Sequence, residues 1–548
     1  MTAWVIRKFG GTAPRITPKL LPDNFAQSAA NCILTAGSLR PLLKPTIVEA
    51  QTKVGTIQDI HRFGQDGLVD TSYWFQWAFD CDCVRGQVYG DVAERTYYTG
   101  SGLATPMVTD NSIALTGGTQ YPMNAYILGV PTPTVIPGLT VSGTATFTTN
   151  IAETKVYVYT YVNAYGDEGS CSQPSLMVNV QLGQTVTGTL PIAPVGNYNL
   201  TGGSVNIYRS IAGVSGSAYL FVMTVAITAN TFVDTYTDTQ ISSNGVMTSL
   251  GNVPPKATLL GLLNMPNGMM AGFDSEGTGR DIYFCTPYMP YAWPIANNYT
   301  VDYRVVGLGC FDSTLVVLTQ GSPYVIYGTD PSTMVQAKAD SEAACVSKRS
   351  ITQVDGGVIY ASTDGLYLAS ASGFKNLTKN LFTKLEWAAI VPSSMNGFAA
   401  DGYFLGFYNN GTSQGFMLDL ITGDYMPLNW FATAGYYEAK FATLYLVVGT
   451  NIVRFNQGTA MTFTWHSKEF YSPHAISIST SRVEASVYPV IASVYADGSL
   501  FYTVSVTSAD TFRLPGGLLA NTWSIAVTST SEVFSIGMAQ SGMELDNG

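Results

Sequence analysis

From Pro255 to about residue 460 a strand–tight turn–strand unit recurs, and this recurrence constrains the fold more than any other feature. Thr314 to Thr319 is separated by Gln320-Gly-Ser-Pro323 from Tyr324 to Tyr327. Gly357 to Ser362 is followed by Thr363-Asp-Gly365 and then Leu366 to Ser370; Tyr403 to Tyr408 by Asn409-Asn-Gly411 and then Gly415 to Leu420. Leu444 to Val448 and Ile452 to Phe455 flank Gly449-Thr-Asn451 in the same way, and Asp281 to Cys285 opens the series. Asp-Gly and Asn-Gly tolerate the positive φ angles of turns whose twist suits antiparallel hairpins. Repetition at roughly 40 to 50 residues is the spacing of propeller blades. Val54 to Tyr98 has the same texture, a β region contributing to the propeller from the N-terminal side.

The segments outside this series differ from it. Residues 138–252 enclose Lys155-Val-Tyr-Val-Tyr-Thr-Tyr-Val162, a turn at Asn163-Ala-Tyr-Gly-Asp-Glu-Gly169, Val205-Asn-Ile-Tyr-Arg-Ser210 and Thr231-Phe-Val-Asp-Thr-Tyr236. That is about a seven-strand sandwich, flanked by proline-bearing stretches at Pro131–Pro137 and Pro254-Pro255 as linkers would be. Residues 461–548 read as a further β unit, with Trp465-His-Ser-Lys-Glu-Phe470, an Asp497-Gly498 turn and Phe512-Arg-Leu-Pro-Gly-Gly517. Residues 1–50 read as an extended arm, because prolines at 14, 18, 22, 41 and 45 suppress helix. Within the arm only Asn24 to Leu34 has room for a helix, with Asp23 or Asn24 as its cap; elsewhere Asn376 to Ala389 is the best short candidate.

The fold class expected is therefore all-β: an irregular propeller drawn from residues 51–137 and 253–460, an inserted sandwich, and a C-terminal β unit. At 548 residues the chain is too long for one core. Only 11% of residues are charged, against roughly 25% in an ordinary soluble protein. No apolar run approaches the ~20 residues of a spanning helix, and Phe441 to Val448 is strand-length. Low charge without a membrane span points to surface covered by other subunits. The net charge of −11 argues against specific nucleic-acid binding, since phosphate contacts come from Lys and Arg, and leaves open a passage that repels DNA. Met1 to Gly10 lacks a secretory apolar core, so the chain is expected to be made in a cytoplasm.

The search for chemistry yields no catalytic, cofactor or metal residues. The three histidines, His61, His466 and His474, lack metal spacing, and no Gly-x-Ser-x-Gly elbow accompanies them. Of the seven cysteines only Cys81-Asp82-Cys83 is a close pair, and one intervening residue fits neither zinc nor redox chemistry. Asp80/Asp82 and Asp66/Asp70 are carboxylate pairs of the kind sugar hydrolysis needs. Ser362-Thr-Asp-Gly365 resembles a sialidase Asp box without the box's aromatic, and turn chemistry accounts for Asp66, Asp364 and Asp497 more simply. The aromatic runs Tyr73 to Trp77 and Tyr288 to Trp293 have no basic neighbours, which favours core or subunit packing over base stacking.

The arm pattern Phe9-Gly10-Gly11-Thr12-Ala13-Pro14-Arg15, then Leu20-Leu-Pro-Asp-Asn24, then Gly37-Ser-Leu-Arg-Pro-Leu42 resembles the opening of nozzle or hub proteins (tail tubular protein B) of short-tailed bacteriophages. The motif at Tyr159 to Gly169 and that at Val205 to Ser210 resemble fibronectin type III-like modules of phage structural proteins. The sequence of propeller, Trp465 to Phe470, Ala496-Asp-Gly498 and Phe512 to Gly516 extends the likeness to the C-terminus. The resemblance implies a non-enzymatic virion protein forming a homo-oligomeric ring, most often a hexamer, below a head–tail adaptor. It further implies attached tail fibres or a needle, and transient passage of double-stranded DNA during ejection. Arg7, Lys8, Arg15 and Arg40 are then the candidate residues for a subunit or adaptor interface, and residues 1 to about 22, poor in long apolar side chains, are expected to take their order from a neighbour. The alternatives are a propeller-type glycan-binding or glycan-degrading tail protein and a fibre-anchoring collar protein.

Overall fold

Short runs of Val, Ile, Thr, Tyr and Phe between Gly, Asn and Asp turns leave the backbone one economical way to satisfy its hydrogen bonds, the antiparallel meander. The computed structural model describes residues 3–34, 36–64, 70–146, 152–211 and 218–546, and they are all-β apart from single helical turns and three short helices. The chain divides into two compact units. One comprises Met1–Ala78, Val316–Tyr324 and Lys338–Gly548; the other Phe79–Leu315 and Val325–Ala337.

In the first unit, four-stranded antiparallel meanders follow one another along the chain. Thr352–Val354, Gly357–Ala361, Leu366–Ser370 and Gly373–Asn376 form one sheet; Asn396–Ala400, Tyr403–Asn409, Ser413–Asp419 and Tyr425–Leu428 form the next. A third meander, Ala434–Glu438, Thr443–Val448 and Asn451–Arg454, takes its fourth strand from the other end of the chain, Thr46–Ala50. Its core joins Ile57, Trp74, Tyr445 and Ile452.

The C-terminal residues of this unit form two sheets over one core. One runs Ala26–Ala30, Phe463–Ser467, Ala520–Ser529, Val490–Ala496, Ser499–Val506; the other runs Ala3–Ile6, Val533–Ala539, Thr480–Ala485, Phe512–Arg513. Trp465, Trp523, Val494, Val483 and Ile536 meet inside. Residues 3–50 thus supply three strands to sheets built mainly from residues 434–539.

The arm therefore owes its order to its own chain, which corrects the expectation that a neighbour provides it. Phe9, only 2% exposed, lies edge-on to Trp465 at 5.0 Å between ring centroids, and the Trp465 indole N–H donates to the Gly10 carbonyl at 3.0 Å. Ala13 and Leu21 are buried beside Leu381, Phe382 and Trp387. The helix expected at Asn24 to Leu34 is also absent. Ala26–Ala30 pairs with Phe463–Ser467, and Cys32–Ile33 pairs with Arg40–Pro41. Between them Asn31 takes φ 57°, which asparagine tolerates, and breaks any helical run. Long-range pairing has overridden a local spacing of Ala26, Ala29 and Ala30 that reads as helical. At Asn376 to Ala389 only Lys384–Ala389 is helical, started by a reciprocal cap between Thr383 and Glu386.

In the second unit, Cys81–Arg85, Thr96–Gly100, Met107–Thr109 and Tyr126–Ile127 make one meander, and Leu259–Met265, Met269–Asp274, Asp281–Phe284 and Asn298–Thr300 another. They share a core of Tyr97, Leu128, Leu262, Met270 and Trp293. The intervening residues form three small sheets: Gly138–Ser142 with Thr185–Thr189 and Thr231–Asp234; Ala152–Lys155 with Val178–Gln181; and Glu168–Cys171, Tyr157–Val162, Ser204–Arg209, Leu220–Ala226. Alternation places Tyr157, Tyr159 and Tyr161 in the core between these sheets.

Candidate functional site

All four arm cations are exposed on the first unit; Lys8 packs near Gly37, in the segment that carries Arg40, whereas Arg15 has partners elsewhere. Arg40 pairs with Glu532 at 2.8 Å, and the Ser38 hydroxyl donates to the same carboxylate at 2.6 Å. These two contacts, hydrogen bonds before the charge itself, hold the Glu532 carboxyl below its usual range. Arg15 donates from its backbone to the Leu381 carbonyl at 2.9 Å and from its guanidinium to the Lys379 carbonyl at 2.7 Å. Arg7 and Lys8 follow directly on the strand Ala3–Ile6, at the edge of the sheet it closes. The structure does not gather the four into one patch.

Between these cations the arm packs too tightly to admit larger residues. The Gly11 amide donates to the Asp424 carboxylate at 2.8 Å, and Thr12 bridges to Tyr425. A Cβ on Gly11 would stand 2.5 Å from the Tyr425 carbonyl oxygen, well inside contact distance. Leu39 and Leu42 are fully buried in the C-terminal core.

Asp82 accepts from the Gly261 amide at 3.0 Å. Asp364 stands in its turn beside the Tyr367 hydroxyl, at 3.1 Å. Asp497, at φ 46°, accepts from the Asn521 and Thr522 amides, bonds that hold its carboxyl below the usual range. Asp70 is held down to about 2 by the Arg454 guanidinium, with the Tyr445 hydroxyl also donating to it; its sequence partner Asp66 lies outside the described residues. His61 packs edge-on to Tyr436 at 4.9 Å, His466 bridges strands through Gln27 and Ser524, and His474 is exposed. Trp74, Phe75 and Trp77 are buried, and so is Trp293, whereas Tyr288 is largely exposed. No grouping of three potential metal ligands occurs among the described residues, and none of their helices is long and apolar enough to cross a membrane.

Two charged nodes were not singled out in the sequence. In the second unit Arg95 pairs with Asp91 at 2.8 Å and with Asp167 at 3.1 Å, its guanidinium 5.1 Å from the Tyr165 ring centre. Tyr165 donates to Asp110 at 2.5 Å. Arg95, Tyr97, Asn163, Tyr165, Asp167 and Tyr291 line a small cleft here. The Tyr97 hydroxyl is buried beside it with no hydrogen-bond partner, and burial pushes its pKa up. The i, i+4 spacing of Asp91 and Arg95 was the available signal. Deeper in the inserted segment Arg209, fully buried, meets Asp234 at 2.8 Å and also Asp238, while Tyr157 donates to Asp234 at 2.6 Å. A charged residue on the core-facing phase of Val205 to Arg209 was its signal.

No model of a known protein family matches the chain, and no curated protein matches it. Among solved structures it is similar to BBS1N in complex with ARL6DN, at 10% identity over 69% of this chain and 92% of that one, with a TM-score of 0.28. It is similar also to BamB from Moraxella catarrhalis, at 12% identity over 54% and 95% of the two chains and a TM-score of 0.25. AztD from Citrobacter koseri matches at 12% identity over 69% and 99%, with a TM-score of 0.25. Likeness at this level carries no function across to this chain.

Proposed function

We propose that this chain is a structural protein of a short, non-contractile phage tail, a nozzle or hub that assembles as a ring around a DNA passage. In this reading the four-stranded meanders are blades of one irregular propeller, and residues 138–252 are a fibronectin type III-like insertion. Residues 461–548 form a C-terminal sandwich, the protein carries no enzymatic activity, and the assembled ring belongs to the virion. The observation that carries the reading is the place of the resemblance motif within the fold. The arm residues that match tail nozzle proteins lace the start of the chain into the first unit: Phe9, Gly10, Leu39 and Leu42 onto its C-terminal sheets, and Gly11 onto the strand Tyr425–Leu428. Gly11 is required there by the close approach of Tyr425, so this part of the motif has a structural reason to recur with this architecture. Sparse charge supports the same reading, with Ile421, Leu385 and Tyr471 among the apolar residues left exposed on the first unit.

Negative-stain microscopy of the purified full-length chain is expected to show rings with a central opening. A species that stays monomeric at every concentration, and is found as such in particles, would sink the proposal.

A further inference from the structure

Among the described residues the strand Ser499–Val506 is the last of its sheet and pairs only with the strand Val490–Ala496. It is eight residues long, Ser-Leu-Phe-Tyr-Thr-Val-Ser-Val, with no charge, proline or glycine. Long uncharged edges invite another strand, and proteins normally shorten them or place a charge on them. Some outer strands of this unit show that protection: Gly373–Asn376 is short and carries Lys375, and Thr46–Ala50 carries Glu49; the uncharged outer strands Ala26–Ala30 and Asn396–Ala400 are shorter, at five residues each. Across the sandwich, Ala3–Ile6 ends the second sheet and is also uncharged.

The two edges match each other in side chains and in flanking charge. Trp4 faces inward, stacked on Phe470 at 5.2 Å, while Val5 on the opposite phase is exposed. On the other edge Val504 follows the core-facing phase, opposite buried Ala492, while Thr503 and Ser505 are exposed. Arg7 and Lys8 follow Ala3–Ile6, and exposed Asp510 follows Ser499–Val506. A parallel arrangement, with Ile6 beside Val506, brings these opposite charges together and keeps apolar phases on one side.

We infer that Ser499–Val506 of one copy pairs with Ala3–Ile6 of a second copy, joining neighbouring subunits head to tail. The choice of a head-to-tail contact over a two-fold one rests on the ring reading above, because only a contact between different surfaces closes a ring of more than two copies. Leu500 and Ile491, 58% and 46% exposed on the outer face, lie beside this seam.

The test uses the full-length chain. Ser505→Lys places a charge on an exposed edge position and is expected to weaken self-association at least about tenfold by sedimentation, with an unchanged circular dichroism spectrum. Asp510→Lys is expected to weaken it as well, and combining it with Arg7→Glu and Lys8→Glu to restore it. A mixture of Val5→Cys and Ser505→Cys chains should form an intermolecular disulfide that wild-type chains and either variant alone do not form. Cross-linking of Ser505→Cys with itself would overturn the head-to-tail contact in favour of a two-fold one. Rings of Ser505→Lys as abundant as wild type would overturn this contact and leave the ring reading standing; a wild-type chain that never associates overturns both.

Discussion

At the scale of single residues, buried polar groups set how this protein answers to pH and substitution. His466 accepts from the Gln27 amide and meets the Ser524 hydroxyl, both 2.9 Å from its Nε2. That geometry needs an unprotonated nitrogen, and burial holds the ring down to about 4. The unfolded chain binds a proton near pH 6.5 and the folded one does not, so stability falls as pH drops from 6.5 toward 4. The loss is on the order of 3 kcal/mol at pH 4. His466→Gln should flatten that part of a denaturation profile, and an unchanged acid slope would refute the assignment. Arg209 is shared between Asp234 and Asp238 within residues 138–252. Arg209→Met leaves Asp234 buried without its cation and is expected to cost roughly 3 to 5 kcal/mol, measured as a lowered unfolding midpoint. Arg209→Met combined with Asp234→Asn should recover part of the loss.

Whole elements are joined by contacts that the chain's local chemistry does not announce. Gly11→Ala would force its methyl into the Tyr425 backbone and should loosen the arm from the sheet of Tyr425–Leu428. We expect faster proteolysis within residues 3–22 of that variant, whereas the wild-type arm resists as well as the core it joins. Rapid loss of the wild-type arm would contradict the packing of Phe9 and Leu21. In the second unit Arg95 ties the Asn163–Gly169 turn to the meander that begins at Cys81–Arg85, aided by Tyr165 on Asp110 and by the Asn197 amide on the Ala125 carbonyl. The inserted segment is therefore fastened beyond its proline-bearing ends. Arg95→Gln should raise cleavage at Pro131–Pro137 and near Pro254-Pro255 without altering the strand content seen by circular dichroism. No change in cleavage would mean the turn is held without the ion pairs.

For the molecule as a whole, two compact units predict that calorimetry resolves more than one unfolding transition, whereas a single calorimetric two-state peak would contradict the division. The strands from Asp281 to Phe455 were legible because their signals are local: period-two alternation, then a turn of Gly, Asn or Asp. Tyr157 to Val162 and Val205 to Arg209 were legible for the same reason, although the expected strand from Lys155 breaks at Val156 and Lys155 ends a strand of another sheet. The arm was not. Its apolar residues are sparse and its prolines frequent, so nothing local indicates that Phe9 sits on Trp465 or that Thr46–Ala50 completes a sheet some four hundred residues away in the chain. Asn24 to Leu34 forms strands rather than the expected helix because its burial depends on a distant strand, and the Asp91–Arg95 spacing does not reveal that Asp167 completes the node. The candidate interface cations could be named from the sequence, but not their settings: Arg40 on Glu532, Arg15 on the Lys379 carbonyl, and Arg7 and Lys8 directly after an edge strand. The amino-acid sequence by itself determined the all-β class and the hairpin series, since alternation and turn chemistry act between neighbours. Only the tertiary structure decided which strands lie at edges and how the first fifty residues close the last sheets, because those outcomes depend on pairing across hundreds of residues.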